Sequence, residues 1–375
     1  LGQKVTVIGG LRIENEDNDY ASTYMPQSVG GFPVTSNSIR DTTSSASQTV
    51  LLPNFNVAVS PFEFMKLRLA AYKALARPDF NMRLDRYIAG RPAQVGSQLQ
   101  VYVGNPKLKT ARAWNYEVNT SFFGNTIGLI SLSAYYKEIE DMYHMLNNFN
   151  TSAVRDDQGV LQDTLMQSFG IKWSSQMGTS PYNLTLPYNS PKPTKVWGFE
   201  FEHQLNFRFL PGLLKNFVLS YNASIVRSET VTWASRTDSV FYDPPGPLPP
   251  TYRKFNALAE RKQKLEGMPE FFGNVSLGYD LGRFSGRVSV FHQGEHNVSY
   301  AAGGFNDQVT MAFTRVDVVI KQGITDNLSL TFNVSNLTNL EDGSFIRSTA
   351  YNRTNFNQSE KYGLTADFGV TLQLE

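Results

Sequence analysis

Apolar and polar side chains alternate along much of this chain, in stretches about ten residues long. In the stretch 64–76, Leu67 and Leu69 fall on one face and Lys66 and Arg68 on the other. A period of two is typical of a β-strand with one apolar and one polar face. Twelve segments share this alternation: Lys4–Glu14, Leu51–Ser60, Phe64–Ala76, Ala113–Phe123, Thr126–Glu138, Lys195–Arg208, Phe217–Val226, Glu270–Tyr279, Arg283–His292, Met311–Lys321, Leu328–Ser335 and Leu364–Gln373. The sequence therefore predicts an all-β protein.

The connections between these segments fall into two classes. Five are short and hold Gly, Pro, Asp or Asn, which favour tight turns: Ser60–Glu63, Gly124-Asn125, Phe209–Asn216, Asp280–Gly282 and Gln322–Asn327. Six are long and cover, approximately, 15–50, 77–112, 139–194, 227–269, 293–310 and 336–363. Because long and short connections alternate, all six long ones should emerge from the same end of an antiparallel meander.

A closed antiparallel barrel in an outer membrane explains this asymmetry. Such a barrel has lipid outside, a polar lumen inside, short periplasmic turns and long extracellular loops. We predict an antiparallel transmembrane β-barrel segment, with Glu200, Glu202 and Asp317 among the residues that face the lumen. A soluble β-sandwich is the alternative, because it also alternates apolar and polar residues, although it does not sort its long loops to one end.

Composition narrows the range of functions. The 375 residues carry a formal net charge of +1, so bulk electrostatics gives no reason to expect nucleic-acid binding. The chain has no cysteine, and no apolar run approaches the roughly 20 residues of a membrane helix. The sequence motifs of serine hydrolases, zinc proteases and phosphate-binding loops are absent. We expect no enzyme activity, no catalytic residue, no metal ion and no cofactor.

Two groups of titratable residues have the composition of metal ligands. His292 and His296 flank Glu295 at a strand end, where they lack the helical spacing that brings two histidines of a zinc site together. Asp141 and His144 lie in an acidic cluster just beyond the fifth predicted strand. A solvated rim explains that cluster more simply than a site for a cation or ligand, and both interpretations stay open.

Five short blocks resemble the C-terminal half of the barrel of TonB-dependent outer-membrane receptors. They are, in chain order, Leu52-Pro53-Asn54 with Ala76-Arg77-Pro78-Asp79-Phe80, then Gly104-Asn105-Pro106 with Asn115-Tyr116-Glu117, then Ala134-Tyr135-Tyr136-Lys137, then Gly198-Phe199-Glu200, and last Asn336-Leu337-Thr338-Asn339. Each block is modest alone, but five in the family's order, across nearly the whole chain, are specific.

The resemblance implies a barrel of about 22 strands, of which residues 1–375 would supply about 12. Receptors of this family also carry an N-terminal plug domain, which would lie outside this chain. The resemblance implies a place in the outer membrane of a Gram-negative bacterium and the capture of a scarce nutrient, either an oligosaccharide or a ferric siderophore. A passive porin or an adhesin barrel is the alternative.

The same resemblance implies a set of partners. They are the lipid and lipopolysaccharide of the outer membrane, the TonB complex acting through the plug, the extracellular nutrient, and a surface lipoprotein that would help to gather it. The basic stretch 253–264 could meet lipopolysaccharide phosphates or an anionic chelate, and a solvated face is the simpler interpretation.

Aromatic residues of the long connections are the best candidates for ligand contact. Trp173, Tyr182 and Tyr188 lie in the third long connection, and Trp233 and Tyr242 precede a proline-rich run in the fourth. Aromatic faces can stack on sugar rings or on the catecholate groups of a siderophore. The same side chains can equally pack the loops against one another, and both interpretations stay open.

Overall fold

A computed structural model describes residues 4–26, 40–90, 98–151, 182–243, 246–349 and 351–373. Strands dominate this part of the chain, beside a short 3-10 helix at Gly212–Asn216 and one short α-helix. The elements are, in chain order, β1 (Val5–Pro26), β2 (Arg40–Phe62), β3 (Met65–Ala76), α1 (Phe80–Arg83), β4 (Tyr87–Gly90), β5 (Leu99–Val103), β6 (Ala111–Gly124), β7 (Gly128–Glu140), β8 (Tyr143–Thr151), β9 (Tyr182–Asn189), β10 (Thr194–Asn206), β11 (Phe217–Tyr242), β12 (Thr251–Gln263), β13 (Phe271–Leu281), β14 (Phe284–Gln293), β15 (His296–Ser299), β16 (Asp307–Thr310), β17 (Phe313–Gly323), β18 (Leu328–Ser335), β19 (Glu341–Ser348), β20 (Arg353–Lys361) and β21 (Thr365–Leu372).

All twelve predicted strands are present, and they pair in one antiparallel sheet. Their order in the sheet is their order in the chain: β1, β2, β3, β6, β7, β10, β11, β13, β14, β17, β18 and β21. Pairing between sequence neighbours throughout is the topology of an outer-membrane barrel. Within the described ranges β1 and β21 do not pair with each other, so the sheet is open.

The two faces of this sheet differ in polarity. Residues that pair across neighbouring strands share a face, so a row of partners shows the character of that face. One row is apolar throughout: Val7, Val57, Leu69, Val118, Ala134, Phe199, Ile225 and Phe271. The row beside it, on the opposite face, is mostly polar: Thr6, Ala58, Arg68, Asn119, Ser133, Glu200, Ser224 and Phe272.

The same contrast continues to the last strand. A second apolar row consists of Leu205, Leu219, Leu277, Val288, Val318, Val334 and Ala366. Polar residues of the other face, among them Glu200 and Glu202, line an open cavity. We call this the concave face, because the polar lumen of a membrane barrel lies on the concave side of its wall. Large apolar side chains of the first face are exposed, and Phe199 is 66% exposed. A broad exposed apolar surface of this kind matches the lipid-facing side of a membrane barrel.

The short turns and the long connections lie at opposite ends of the sheet, as predicted. The short turns join β2 to β3, β6 to β7, β10 to β11, β13 to β14 and β17 to β18. The long connections contain the remaining strands. Because the strands are antiparallel, these two sets of connections are separated by the full length of the sheet.

Three strands extend well beyond the predicted segments. β1, β2 and β11 contain 22, 23 and 26 residues. The hairpin of β1 and β2 stays paired out to Tyr24 and Arg40, so much of the first long connection is strand and not loop. β11 pairs with β13 up to Ile225 and with β12 from Thr230 to Tyr242, so it passes from the main sheet into a separate hairpin.

The main apolar cluster of the described residues lies in the long connections and not in the main sheet. Its largest fully buried side chains are those of Tyr182, Tyr188, Phe149, Leu146 and Leu184. A barrel wall has lipid on one side and a polar lumen on the other, so a single wall has no interior of its own. No helix in the described ranges is long and apolar enough to cross a bilayer.

Candidate functional site: the loop collar

The described residues of the six long connections form a layer beyond one end of the sheet, which we call the loop collar. We number the loops in chain order: the first (15–50), second (77–110), third (141–193), fourth (227–270), fifth (294–312) and sixth (336–364). Each loop contacts the next through hydrogen bonds, ion pairs or strand pairing. The collar would be the first part of such a barrel to meet a ligand from outside the cell.

Two glutamates of β1 bind two arginines of the second loop. Arg77 Nη2 lies 2.5 Å from Glu14 Oε2, and Arg77 Nε lies 3.2 Å from Glu16 Oε2. The buried Arg83 donates to Glu16 at 2.8 Å and to Thr110 Oγ1 at 2.6 Å. Burial raises the pKa of Glu16, but Arg83 and Arg77 more than offset this effect, so the pKa of its carboxyl lies below the ordinary value. Arg77 therefore has a structural contact in this collar.

The Gly-Asn-Pro block of the second loop fixes the third. A Cβ atom on Gly104 would lie 2.0 Å from a backbone carbonyl oxygen of the same loop, so no other residue fits there. Asn105 Nδ2 donates to a carbonyl of β9 at 3.1 Å. Lys109 and Asn189 exchange two hydrogen bonds, of 2.9 and 3.1 Å. β5 and β9 also pair in parallel, which joins the two loops in one small sheet.

Three of the five candidate ligand residues meet in the apolar cluster between the third and fourth loops. Tyr182 and Tyr188 stand at the two ends of β9 and are fully buried. Trp233 packs against the border of the cluster, and its backbone N–H donates to the Tyr188 hydroxyl at 2.9 Å. The contacts agree with the packing interpretation of Tyr182 and Tyr188, while ligand contact by any of the three stays a prediction.

The other two candidates lie apart from this cluster. Tyr242 is at the far end of β11, nine residues beyond Trp233, or about 30 Å along an extended strand. The guanidinium of Arg253 stacks on the Tyr242 ring, 3.1 Å from its centroid. Phe241 and Tyr252 pack edge to face beside them and are exposed. Trp173 lies outside the described residues.

The acidic cluster beyond β7, which includes Asp141 and His144, is held by ion pairs and hydrogen bonds to other segments. Arg112 binds Asp141 at 2.6 Å. The side chain of His144 is buried between the fourth-loop residues Thr230 and Glu266, with Nε2 3.0 Å from Thr230 Oγ1 and Nδ1 3.3 Å from Glu266 Oε2. The expectation of a solvated rim is therefore wrong for His144. Within the described ranges no three His, Cys, Asp or Glu residues are grouped as metal ligands would be.

The basic stretch 253–264 is largely paired with acidic side chains. Lys262 binds Glu229 at 2.6 Å, and Lys264 binds Glu270 at 2.9 Å. Arg261 binds the buried Asp307 of the fifth loop. This stretch therefore offers less free positive charge to an anionic ligand than its sequence indicates.

Sequence reasoning missed the strand β9, although the sequence contains its signal. Tyr182, Leu184, Leu186 and Tyr188 alternate with polar or small residues and are all buried. This is the same period of two that identified the twelve barrel strands. Arg83 and Asp307 were also missed, because a lone charged residue in a loop carries no pattern that indicates burial.

A family model matches most of this chain. Residues 1–337 match the model described as TonB dependent receptor-like, beta-barrel. This chain belongs to that family. The match covers all of the main sheet except β21 and all of the loop collar except the sixth loop, of which it includes only the first two residues. A comparison with curated protein sequences found no match.

Several solved structures have a similar fold. The copper transporter OprC has 14% identity and a TM-score of 0.58, with 99% of this chain and 46% of that one covered. The Serratia marcescens hemophore receptor HasR, a double mutant bound to its hemophore and heme, has 15% identity and a TM-score of 0.54, with 98% of this chain and 48% of that one covered. A mutant ferric enterobactin receptor of Pseudomonas aeruginosa, in complex with enterobactin, has 13% identity and a TM-score of 0.54, with 89% of this chain and 42% of that one covered. The chain thus spans less than half the length of each, and the likeness shows the fold alone.

The Tyr188 hydroxyl of this receptor-family barrel should make loop stability depend on alkaline pH. Burial raises the pKa of Tyr188 far above that of a free tyrosine, so the folded collar keeps the proton that an unfolded chain releases above about pH 10. Stability of the collar should therefore fall as pH rises from 9 to 11. Hydrogen exchange of β9 amides, corrected for the intrinsic rate at each pH, should show a smaller fall in Tyr188→Phe than in wild type. Equal falls in both would contradict the prediction.

Proposed function

We propose that residues 1–375 form the C-terminal part of the barrel of an outer-membrane receptor that imports a scarce nutrient with the help of TonB. The observation that carries the proposal is the pairing of a polar concave face with an interlocked loop collar at one end of the same sheet. The collar would bind the nutrient outside the cell, and the concave face would border the route by which it passes inward. No covalent chemistry is required of any residue.

The chemistry of the nutrient is either that of an oligosaccharide or that of a ferric siderophore. Support for the second comes from the ferric enterobactin receptor, and the structures of OprC and HasR extend the range to copper and heme. Support for the first comes from the exposed aromatic rings at the tip of the fourth loop, because a flat ring can stack on the face of a sugar. Catecholate rings can stack in the same way, so the tip serves either class.

Partners follow from the same proposal. The TonB complex would act through the plug domain that receptors of this family carry, and the apolar outer face would contact membrane lipid. Lipopolysaccharide phosphates would contact exposed cations of the outer face at the end nearest the loop collar, such as Lys195. A surface lipoprotein that helps to gather the nutrient would be a further partner of the loop collar.

Uptake by the full-length receptor should depend on TonB. The receptor is expressed in two Gram-negative strains that differ only in TonB, with ferric enterobactin as the only iron source or maltoheptaose as the only carbon source. We expect growth on one of these two probes when TonB is present, and loss of uptake but not of surface binding when it is absent. Equal uptake in both strains would instead support a passive porin, and binding with no uptake in either strain would support an adhesin.

The candidate ligand residues should be tested in the same full-length receptor. Trp173→Ala and Trp233→Ala should each weaken binding of the accepted probe, by about tenfold where an aromatic anchor is lost. Tyr351→Ala is the control, because Tyr351 is an exposed aromatic residue of the sixth loop that is not among the candidates. Unchanged affinity in both tryptophan variants would remove these residues from the site.

A further inference from the structure

A buried carboxylate joins three loops of the collar. Asp307, in the fifth loop, is 1% exposed. Its Oδ2 lies 2.6 Å from Arg261 Nη2 of the fourth loop and accepts from Thr349 Oγ1 of the sixth at 3.0 Å. Its Oδ1 accepts from the backbone N–H of Ala301 at 2.9 Å. One side chain thus holds one group from each of three loops.

Arg261 completes the same junction from the other side. Besides its ion pair with Asp307, Arg261 donates to Thr349 Oγ1 at 2.7 Å and to the Ala301 carbonyl at 3.3 Å. The ring of Tyr300 lies 5.2 Å from the Arg261 guanidinium carbon. We call the set of Arg261, Asp307, Thr349 and Ala301 the collar junction. Every member reaches at least two others through direct contacts.

Ala302, which follows the junction residue Ala301, extends the connection to the third loop. The Ser235 N–H donates to the Ala302 carbonyl at 2.7 Å, and Ala302 N–H donates to the Asn147 carbonyl at 3.4 Å. The segment around Ala302 is therefore inserted between β8 and β11. Trp233, two residues from Ser235, belongs to the same tightly connected region.

Buried ion pairs respond strongly to the loss of one partner. Removing one charge leaves the other without compensation in a place that water reaches poorly. An exposed ion pair behaves differently, because water replaces the missing partner at little cost. The collar junction should therefore control the motion of the loops around it, whereas the exposed ion pairs of the same loops should not.

We infer that Arg261 and Asp307 are positioning residues that make the fourth, fifth and sixth loops open as one body. A substitution that weakens this junction would raise the shared opening of all three loops together, and Trp233 would be held less firmly. The inference goes beyond the uptake proposal and concerns loop motion alone. Its test needs neither TonB nor a nutrient, so its failure and the failure of the uptake proposal can be told apart.

The test is hydrogen exchange of the full-length receptor in detergent micelles, in wild type and Asp307→Asn. We expect amides of 230–236, 300–310 and 344–349 to exchange about tenfold faster or more in the variant, all by a similar factor, as a buried pair loses its charge. Amides of β14 and β18 in the membrane wall should exchange at the wild-type rate. Thr349→Val, which removes one hydroxyl and no charge, should give the same pattern with a factor of about three.

Asp238→Asn is the matched control. Asp238 and Arg236 form an exposed ion pair in the same fourth loop, with 2.9 Å between Arg236 Nη2 and Asp238 Oδ2. This variant should leave exchange in all three segments unchanged. Faster exchange confined to 300–310, or no change in either junction variant, would overturn the inference. Faster exchange in β14 and β18 as well would also overturn it, because the junction would then support the whole receptor and not the loops.

Discussion

Replacing Leu132 with arginine should greatly reduce the amount of receptor that assembles in the outer membrane. Leu132 lies on the apolar face of β7, is 47% exposed, and pairs with Phe201 of β10 on that face. An arginine facing lipid near the middle of a bilayer costs about 2–4 kcal/mol. The measurement is the fraction of full-length receptor whose gel mobility changes on heating, which reports the assembled barrel.

Ser133→Arg is the control for this experiment. Ser133 is the next residue of the same strand, so its side chain points to the concave face, where Glu200 is its partner on β10. A new guanidinium there meets water and a carboxylate instead of lipid. Assembly of Ser133→Arg should be close to that of wild type. If both variants assembled equally well, or if Ser133→Arg were the worse of the two, the two faces of the sheet would have been assigned wrongly.

Replacing Arg83 with methionine should open the junction of the first and second loops. Arg83 is 3% exposed and donates to Glu16 and Thr110, and the Glu16 side chain is itself largely buried. Losing one partner of a buried ion pair costs about 3–5 kcal/mol, although Arg77 still contacts Glu16 and reduces the effect. Hydrogen exchange should be faster in 16–22 and 98–103, with the barrel strands unchanged.

Arg12→Met is the matched control, since the Arg12 side chain is 73% exposed and pairs with Glu14 on the same strand. An exposed pair of this kind contributes about 0–1 kcal/mol, so exchange in the two segments should hardly change. Similar exchange in Arg83→Met and Arg12→Met would show that burial of Arg83 has no energetic consequence.

Acid should reproduce part of the Arg83 effect in the wild-type receptor. The Glu16 carboxyl has a lowered pKa in the folded collar, so its contribution to stability is complete above the pKa of an unfolded glutamate. The contribution disappears as pH falls through the lowered value. The variant Arg83→Met should lose less on acidification, because part of the interaction that lowers the pKa is already absent.

The twelve barrel strands could be predicted because a membrane wall imposes a strict rule on every residue. Each side chain of a strand faces either lipid or lumen, so polarity must alternate wherever the strand crosses the membrane. The row from Val7 to Phe271 shows that rule at one depth, and Lys66 and Arg68 show the other face. The turns were equally predictable, because two-residue reversals such as that between β13 and β14 need residues that tolerate their backbone angles.

The extended parts of β1, β2 and β11 could not be predicted for the opposite reason. Beyond the membrane a strand no longer separates lipid from a polar lumen, so the polarity of its side chains need not alternate. The segment Thr42–Thr49 is a run of Ser, Thr, Ala and Gln, and it nevertheless pairs with β1 along its whole length. Backbone hydrogen bonds hold such a hairpin without leaving a pattern of side chains.

The candidate site was only partly accessible to sequence reasoning. Aromatic residues of the loops were identified, but their division into a buried cluster and an exposed tip depends on contacts between distant segments. Tyr188 is buried in a cluster that Trp233, 45 residues later, borders, and the Trp233 N–H donates to its hydroxyl. Asp307 is buried because residues of two other loops surround it. Neither arrangement follows from spacing along one loop.

The order of contacts in the collar has a consequence for engineering. Each loop is bound mainly to its immediate neighbours, from Arg77 and Glu14 in the first pair of loops to the pairing of β16 with β19 in the last. A single loop grafted from a relative would therefore lose its contacts with both neighbouring loops at once. A chimeric receptor should accept new loops more readily as an adjacent pair. The contacts between the two grafted loops are then transferred intact, and only the contacts with the loops on either side have to be matched.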